Sequence, residues 1–474
     1  MKGFLVALTA LLALAPAAHA GGSSIALGAA EDAVRSPSPV EAEAAMSLVR
    51  LAGFRAVRVT STWAPGLSAP TDHEAAVLAN VAAAAELHGV RVFVSVYHAG
   101  SRTTPLTGVA RKEFASYVAE ILKANPSFRD VIVGNEPNLN RFWMPQFRVD
   151  GKSHSARMYL ALLAQTYDAV KEVAPETTVW GGALAPRGVD KPFTGRDTIS
   201  PTRFIREWGE AYRASRRDKP IMDGFAFHPY GINSSAPVDL PPADPDHLAL
   251  IDQNRLVRLL GRAFDGTAQV GSGLPILYDE YGIESQIPRD KRMLYRGAEP
   301  RTTKPVAETA QAVAYRQALR LAYCQSNVAG VLLFHSNDED GLLGWQSGLY
   351  YADGTPKSSL PLVRDTLDAI ASGKLGTCMT IKPTVAFTPK DRRISLRCNR
   401  DCVYRARLRR LPEGSVTAWR NGRAGRDVRR SFALGPRVAP GRYQLSVTFV
   451  HASRPGPVTV RTSVPFTVRS SSRR

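Results

Sequence analysis

Residues 129–137, RDVIVGNEP, run from three apolar residues directly into a glycine, an amide and a carboxylate. The run of Val131, Ile132 and Val133 lacks the polar alternation of a half-exposed strand, which predicts a strand buried on both faces. Buried strands of this kind belong to parallel sheets covered by helices. Asn135 and Glu136 then stand at the end of a strand, where side chains meet solvent and ligands.

Seven more stretches read as strands: SSIALGA (23–29), FRAVRVTSTW (54–63), VRVFVSVYHA (90–99), TTVWGGALA (177–185), MDGFAFHPY (222–230), PILYDEYGI (275–283) and VAGVLLFHS (328–336). Helical periods separate them. In residues 155–173 Tyr159, Leu163, Val170 and Val173 share one face, with Ser155 as the expected N-cap, and residues 71–89 end on a glycine suited to a helix C-terminus. Strands alternating with helices predict a parallel sheet, and eight such units over residues 21–374 predict a (β/α)8, or TIM, barrel. An open doubly wound sheet would need a glycine-rich phosphate loop after its first strand, and ALGAAEDAV (26–34) is not one.

The pattern changes beyond Leu375. Short alternating runs such as RISLRC, VYRARL and RYQLSVTFV are divided by Gly, Pro, Asp and Asn, which predicts a small immunoglobulin-like β-sandwich over 375–468 and a disordered tail at 469–474. From Leu375 to Arg474 there are 22 Lys+Arg against 4 Asp+Glu, so this segment holds +18 of the net +19. Such a domain is suited to acidic cell-surface glycans, and is equally read as one that uses arginine as a generic solubilising residue. Nucleic acid is not expected, because no recognition motif accompanies the charge.

At the other end, residues 1–20 combine Lys2, an apolar run and an Ala18-His19-Ala20 site, the pattern of a signal peptide. No segment has the ~20 apolar residues of a membrane-spanning helix. The expectation is an exported monomer, secreted or associated with the cell envelope, with the mature chain beginning near Gly21. Four cysteines fit an oxidising compartment and allow three pairings; the spacing of RCNRDCV favours Cys398 with Cys402, leaving Cys324 for Cys378.

In a barrel of this kind, chemistry is carried at the C-terminal ends of the strands. Those ends hold Arg58 and Trp63, His98, Asn135 and Glu136, His228 and Tyr230, Asp279 and Glu280, and His335. Cleaving an acetal needs two carboxyl groups at one carbon, one to protonate the leaving oxygen and one to attack or to activate water. Glu136 and Glu280, on the fourth and seventh strands, are the candidates. Alternation groups Ile276, Tyr278 and Glu280 on one face and Asp279 on the other, which favours Glu280 over its neighbour.

On these residues the chain resembles the clan A glycoside hydrolases, the retaining barrel enzymes that include cellulases, mannanases, β-xylosidases and β-galactosidases. The resemblance covers roughly residues 23–373, and its strongest element is Asn135-Glu136-Pro137. It implies that Glu136 is the acid/base and Glu280 the nucleophile, and that Arg58, His98, Asn135, His228 and Tyr230 hold the nucleophile or the sugar. The implied enzyme acts on an oligo- or polysaccharide and needs neither cofactor nor metal. Where the clan often has a tryptophan on strand eight, this chain reads Phe334-His335, so His335 and the loop residue Trp345 are the expected sugar contacts there.

Trp63, Trp143 and Trp345 are equally read as stacking platforms or as loop anchors. Asp338, Glu339 and Asp340 read as a solvated acidic run or as contacts for sugar hydroxyls. A metal-dependent hydrolase would need paired histidines on an early strand, and the first strand has none. The alternative is a non-catalytic glycan-binding barrel of the cell envelope, which the loss of either glutamate would have favoured; both are present. Transglycosylation shares the covalent intermediate and is not distinguished by sequence.

Overall fold

A computed structural model describes residues 21–376, 378, 381–412, 414, 416–435, 438–451 and 458–468. The expected signal peptide (1–20) and tail (469–474) lie outside the described residues. Eight parallel strands close in sequence order: β1 Ala26–Ala30, β2 Ala56–Trp63, β3 Arg91–His98, β4 Asp130–Val133, β5 Thr178–Leu184, β6 Gly224–Phe227, β7 Ile276–Tyr281 and β8 Val328–Phe334. Helices α1 Pro39–Leu51, α2 Asp72–His88, α3 Gly108–Ala124, α4 His154–Val173, α5 Pro201–Ser215, α6 Gln253–Phe264, α7 Glu308–Tyr323 and α8 Leu360–Ala371 follow the strands in turn. The fold is the expected (β/α)8 barrel.

Local signals place the helix ends. Gly89 takes a left-handed conformation after α2 and caps it, as the sequence implies. The start of α4 differs by two residues from the expectation. Ser153 is the N-cap, accepting from the Ala156 amide, whereas Ser155 lies inside the helix and donates to Gln146. Both serines fit the capping preference, and the packing of Ser155 on buried Gln146 decides between them.

Strand alternation divides two cores. Val57 and Val59, Val92, Val94 and Val96, and Val131 and Val133 face the helices. Ala56, Phe93, Ile132, Trp180, Ala226, Leu277 and Leu332 fill the barrel interior. Above this apolar plug the same inward positions turn polar. Arg58 follows Ala56, Ser95 follows Phe93, His228 follows Ala226 and Asp279 follows Leu277, each two residues on and so on the same face.

The chain after α8 forms two antiparallel sheets, ordered β13-β10-β9 and β12-β11-β14-β15. Their strands are β9 Pro383–Thr388, β10 Arg393–Cys398, β11 Cys402–Arg410, β12 Val416–Ala424, β13 Arg430–Ala433, β14 Gly441–His451 and β15 Val458–Val468. Ile394 and Leu396 pack with Leu408, Leu445, Val447 and Phe449 in one core, an all-β unit as expected. Disulfides join Cys324 to Cys378 and Cys398 to Cys402, the favoured pairing. Among the described residues no helix is long and apolar enough to cross a membrane.

The long segment between β8 and α8 is fixed from beneath by a buried cation. Lys357 Nζ donates to Asp338 Oδ1 at 2.7 Å, Ser285 Oγ at 2.8 Å and the Gln346 carbonyl at 3.1 Å. Asp338 also accepts from the Tyr295 hydroxyl and the Gly348 amide. This corrects the reading of Asp338 as solvated or sugar-facing: its carboxylate is buried and fully engaged. Its neighbours stay at the surface, Glu339 paired with His335 and Asp340 with Arg296. Removing one member of such a buried pair strands the other charge, so Lys357→Met should lower stability by about 3–5 kcal/mol. Urea unfolding checks this, and a loss below 1 kcal/mol would mean that the pair is not the anchor.

Candidate active site

The site is built around Arg58, which rises from β2 into the barrel and is only 4% exposed. Its Nη1 donates to Glu280 Oε1, and its Nη2 donates to Ser95 Oγ at 3.1 Å and Asn135 Oδ1 at 3.0 Å. Its Nε lies 3.7 Å from Asp279. Burial pulls the guanidinium pKa down, but the charges of Glu280 and Asp279 more than offset this and leave it raised. One cation thus ties together strands two, three, four and seven.

Opposite it, His228 is fully buried among three carboxylates. Nδ1 lies 3.0 Å from Glu136 Oε1 and 3.3 Å from Glu280 Oε2, and Nε2 lies 3.2 Å from Asp279 Oδ2. Burial again opposes the charge, yet the charges of Glu280 and Asp279 and the hydrogen bonds to Asp279 and Glu136 push the imidazole pKa up to about 10. His228 is therefore an imidazolium at neutral pH, donating from both nitrogens. Tyr230 donates its hydroxyl to Glu280 Oε2 at 3.0 Å, and burial first, then the nearby carboxylates, hold that hydroxyl protonated.

The end of β4 delivers Glu136 through two unusual backbone conformations. Gly134 has φ +86°, and a Cβ there would meet the Tyr159 ring at 2.9 Å. Glu136 itself has φ 41°, and its amide donates to the Ala183 carbonyl on β5. The backbone turn lifts the carboxylate out of the wall, where its side chain is 15% exposed against 11% for Glu280. One ligand atom each from Glu136, His228 and Glu280 lie within 4.8 Å of one another. That spacing could also hold a metal ion, with Arg58 as the competing cation at Glu280.

The alternation argument for Glu280 is corrected by the register of β7. Leu277 and Asp279 face the interior, while Ile276 and Tyr278 face the helices, so strict alternation would turn Glu280 outward. Tyr278 pairs with Val331 and Tyr281 with Leu333, three residues on β7 against two on β8. This bulge lets Asp279 and Glu280 both point inward. Asp279, fully buried, orients His228 through Nε2; burial alone would raise its pKa, and His228 and Arg58 bring it below the usual value. Glu284 lies apart, bonded to Ser234, and burial followed by the Glu299 charge raises its pKa to about 7.

Other expected contacts separate into rim and core. Trp345 is partly exposed beside the mouth, 4.9 Å from the Tyr230 ring and 5.4 Å from Phe334. His335 lies next to Phe334, with Nδ1 on the Ala30 carbonyl at 2.5 Å and Nε2 on Glu339. His98 is buried against Trp143 and bonded to the Gly100 carbonyl; burial lowers its pKa to about 4, so the ring is neutral. Trp63 does not reach the mouth: it shares the outward parity of Val57 and Val59, is fully buried, packs edge-on to Phe114 and donates to the Leu67 carbonyl. Trp143 is likewise a core residue, against Tyr159. Two residues were missed. Tyr97 follows Ser95 on the inward face and lies beside Arg58, a parity visible in the sequence; Arg187, beyond β5, feels the charge of Glu136 and lacked any motif.

No family model matches the chain, and no curated protein matches it significantly. Solved structures do. A glucosidase from Croceicoccus marinus is 11% identical, with 87% of this chain and 93% of that chain covered at TM-score 0.52. The GH5_18 protein from Streptomyces cattleya in complex with GlcNAc is 15% identical, covering 75% and 82% at TM-score 0.50. Beta-glucuronidase 2 from Bacteroides uniformis is 11% identical at TM-score 0.46, and this chain spans 45% of its length. At these identities the likeness is one of fold.

The raised pKa of His228 has a consequence for stability. A pKa of about 10 when folded against 6.5 when unfolded stabilises the fold fully below pH 6.5, and the contribution is lost as pH rises through 10. The difference in unfolding free energy between wild type and His228→Gln should therefore shrink steadily over that interval. Denaturation across pH checks it; a gap that is constant or widens with pH would refute the imidazolium.

Proposed function

We propose that the chain is a retaining β-glycoside hydrolase acting on an oligo- or polysaccharide. The observation that carries this reading is the approach of Glu136 and Glu280, whose nearest carboxylate oxygens lie within 4.8 Å and share His228 Nδ1. Inverting enzymes hold a water between carboxyls about 6.5–9.5 Å apart, whereas direct attack needs about 5–5.5 Å. The barrel likeness to solved glycosidases is in keeping with it.

In the first step Glu136 gives its proton to the glycosidic oxygen while a Glu280 oxygen bonds to the anomeric carbon and the alcohol leaves. In the second, Glu136 takes a proton from water, the hydroxyl bonds to that carbon and Glu280 departs. Asn135, whose Oδ1 is taken by Arg58, has its amide N–H groups for the sugar 2-hydroxyl, and Trp345 offers a ring for the apolar face of the sugar. Glu280→Ala should lose activity by about a thousandfold or more, with azide restoring turnover to an α-glycosyl azide. Glu136→Ala should fall about 10²–10⁴-fold, least for leaving groups that need no proton, with azide giving the β-azide. Failure of both rescues across a panel of aryl β-glycosides, or full activity kept by either variant on a substrate with a poor leaving group, would reject the mechanism.

We also propose that the protein is an exported monomer with its catalytic body in residues 21–374 and an accessory sandwich in 375–468. The disulfides fit export. The role of the sandwich is retention on an acidic glycan. On β11, Tyr404, Ala406 and Leu408 point into the core and Arg405, Arg407 and Arg409 point away from it. Across from them on β14 stand Thr448, Ser446 and Gln444, none of them acidic. The arginines span about 14 Å at the rise of a strand. The full-length variant R405A/R407A/R409A should elute from an immobilised sulfated polysaccharide at clearly lower salt than wild type. Identical elution of the two proteins would remove this role from the face.

A further inference from the structure

A cavity of about 360 Å³ lies between the segment 231–249, which follows β6, and the end of β7. Its wall is apolar: Val238, Leu248 and Ile283 are buried in it, and Ile232, 70% exposed, and Leu240, 48% exposed, stand at its rim. Of the polar side chains along it, Ser234 Oγ is engaged with Glu284, Asn233 Oδ1 with Ser235, His247 Nε2 with the Gly188 carbonyl and Asp244 Oδ1 with the Asp246 amide, and Asp244 is exposed at the rim. A sugar ring set against the apolar wall would leave the hydroxyls facing it without partners, at a cost of roughly 1–3 kcal/mol each by protein mutational measures. The volume is within the range of small-molecule pockets, ~300–1,000 Å³.

The cavity shares residues with the candidate active site. Tyr230, which holds Glu280, forms part of its wall. So does Arg187, whose Nη1 donates to the Gly231 carbonyl at 3.2 Å and whose guanidinium feels the charge of Glu136. A general acid protonates the departing oxygen, so the leaving group lies on the side of Glu136. We infer that this cavity receives the leaving group, and that the group is an apolar aglycone, alkyl or aryl, rather than a second sugar. The substrate class is then a glycoside of a hydrophobic alcohol or phenol. This rests on the glycosidase reading and narrows it. Covering Ile232 and Leu240 removes apolar surface from water, which supplies the affinity for such a group.

The test is an alkyl β-glycoside series from methyl to octyl, on whichever sugar of a panel is turned over, with the glycosyl fluoride as a substrate that lacks an aglycone. Burial of a methylene is worth at most about fourfold, from ~0.8 kcal/mol. The octyl-to-methyl ratio of kcat/KM should therefore exceed tenfold and level off once the cavity is filled. Because Ile232 and Leu240 are exposed, I232D and L240D should fold normally, as melting temperature will report, and bring the ratio towards one. Turnover of the fluoride with a wild-type ratio near one overturns the aglycone pocket and leaves the hydrolase standing. If no glycoside or fluoride is turned over, the hydrolase reading falls instead. The pocket is then judged by calorimetry with methyl and octyl β-thioglucosides, and octyl binding no tighter than methyl overturns it as well.

Discussion

A guanidinium set inside a barrel of aliphatic strands would be strongly destabilising without partners, and the upper half of this barrel is organised around supplying them. Arg58 stands two residues above the apolar layer formed by Ala56 and its neighbours. Glu280, Asp279, Ser95 and Asn135 converge on it from β7, β3 and the end of β4. Burying one charge thus requires at least one other, and each carboxylate brought in needs its own donors. His228 and Tyr230 meet that need from the end of β6. The site is the polar continuation of the same inward-facing rows that fill the plug below it.

Most of that arrangement was legible because parallel barrel strands have simple periodicity. Once β2, β3, β4 and β6 are placed, counting in twos assigns Arg58, Ser95 and His228 to the interior and Trp63 to the helix side. The expectation for Trp63 failed by weighing its ring chemistry over its parity. Glu280 was reached for a faulty reason. Counting in twos on β7 selects Asp279, and only the extra residue against β8 turns Glu280 inward as well. A bulge arises from pairing with a neighbouring strand, which no local pattern records. Asp338 was misread for a related reason, since the lysine that buries it lies 19 residues away.

The segments after β6 and β8 differ in how they are held, and the difference bears on what each can do. The segment after β8 is locked by Lys357 and carries Trp345 to a fixed place beside Tyr230. A rigid ring suits a sugar face, where geometry decides recognition. The segment after β6 is rich in proline and is tied to the end of β5 by the Arg187 bond to Gly231. It encloses apolar space, which selects for size and hydrophobicity with little demand on orientation.

The two glutamates differ in ways that match the division of labour in a double displacement. Glu280 accepts from Arg58 on one oxygen and from Tyr230 on the other, with His228 nearby. These donors fix the direction of its lone pairs, as an attacking carboxylate requires. Among the described residues the Glu136 carboxylate is hydrogen-bonded to His228 alone; it is the more exposed of the two glutamates and sits on a backbone held in shape by Gly134. A group that must release a proton and later take one back is better served by such sparse contacts. With the imidazolium between them touching both, a change of charge on one glutamate is felt directly by the other. In the proposed double displacement, loss of the proton from Glu136 and consumption of the negative charge on Glu280 would occur in the same step, so the charge within reach of His228 would be conserved as the bond breaks.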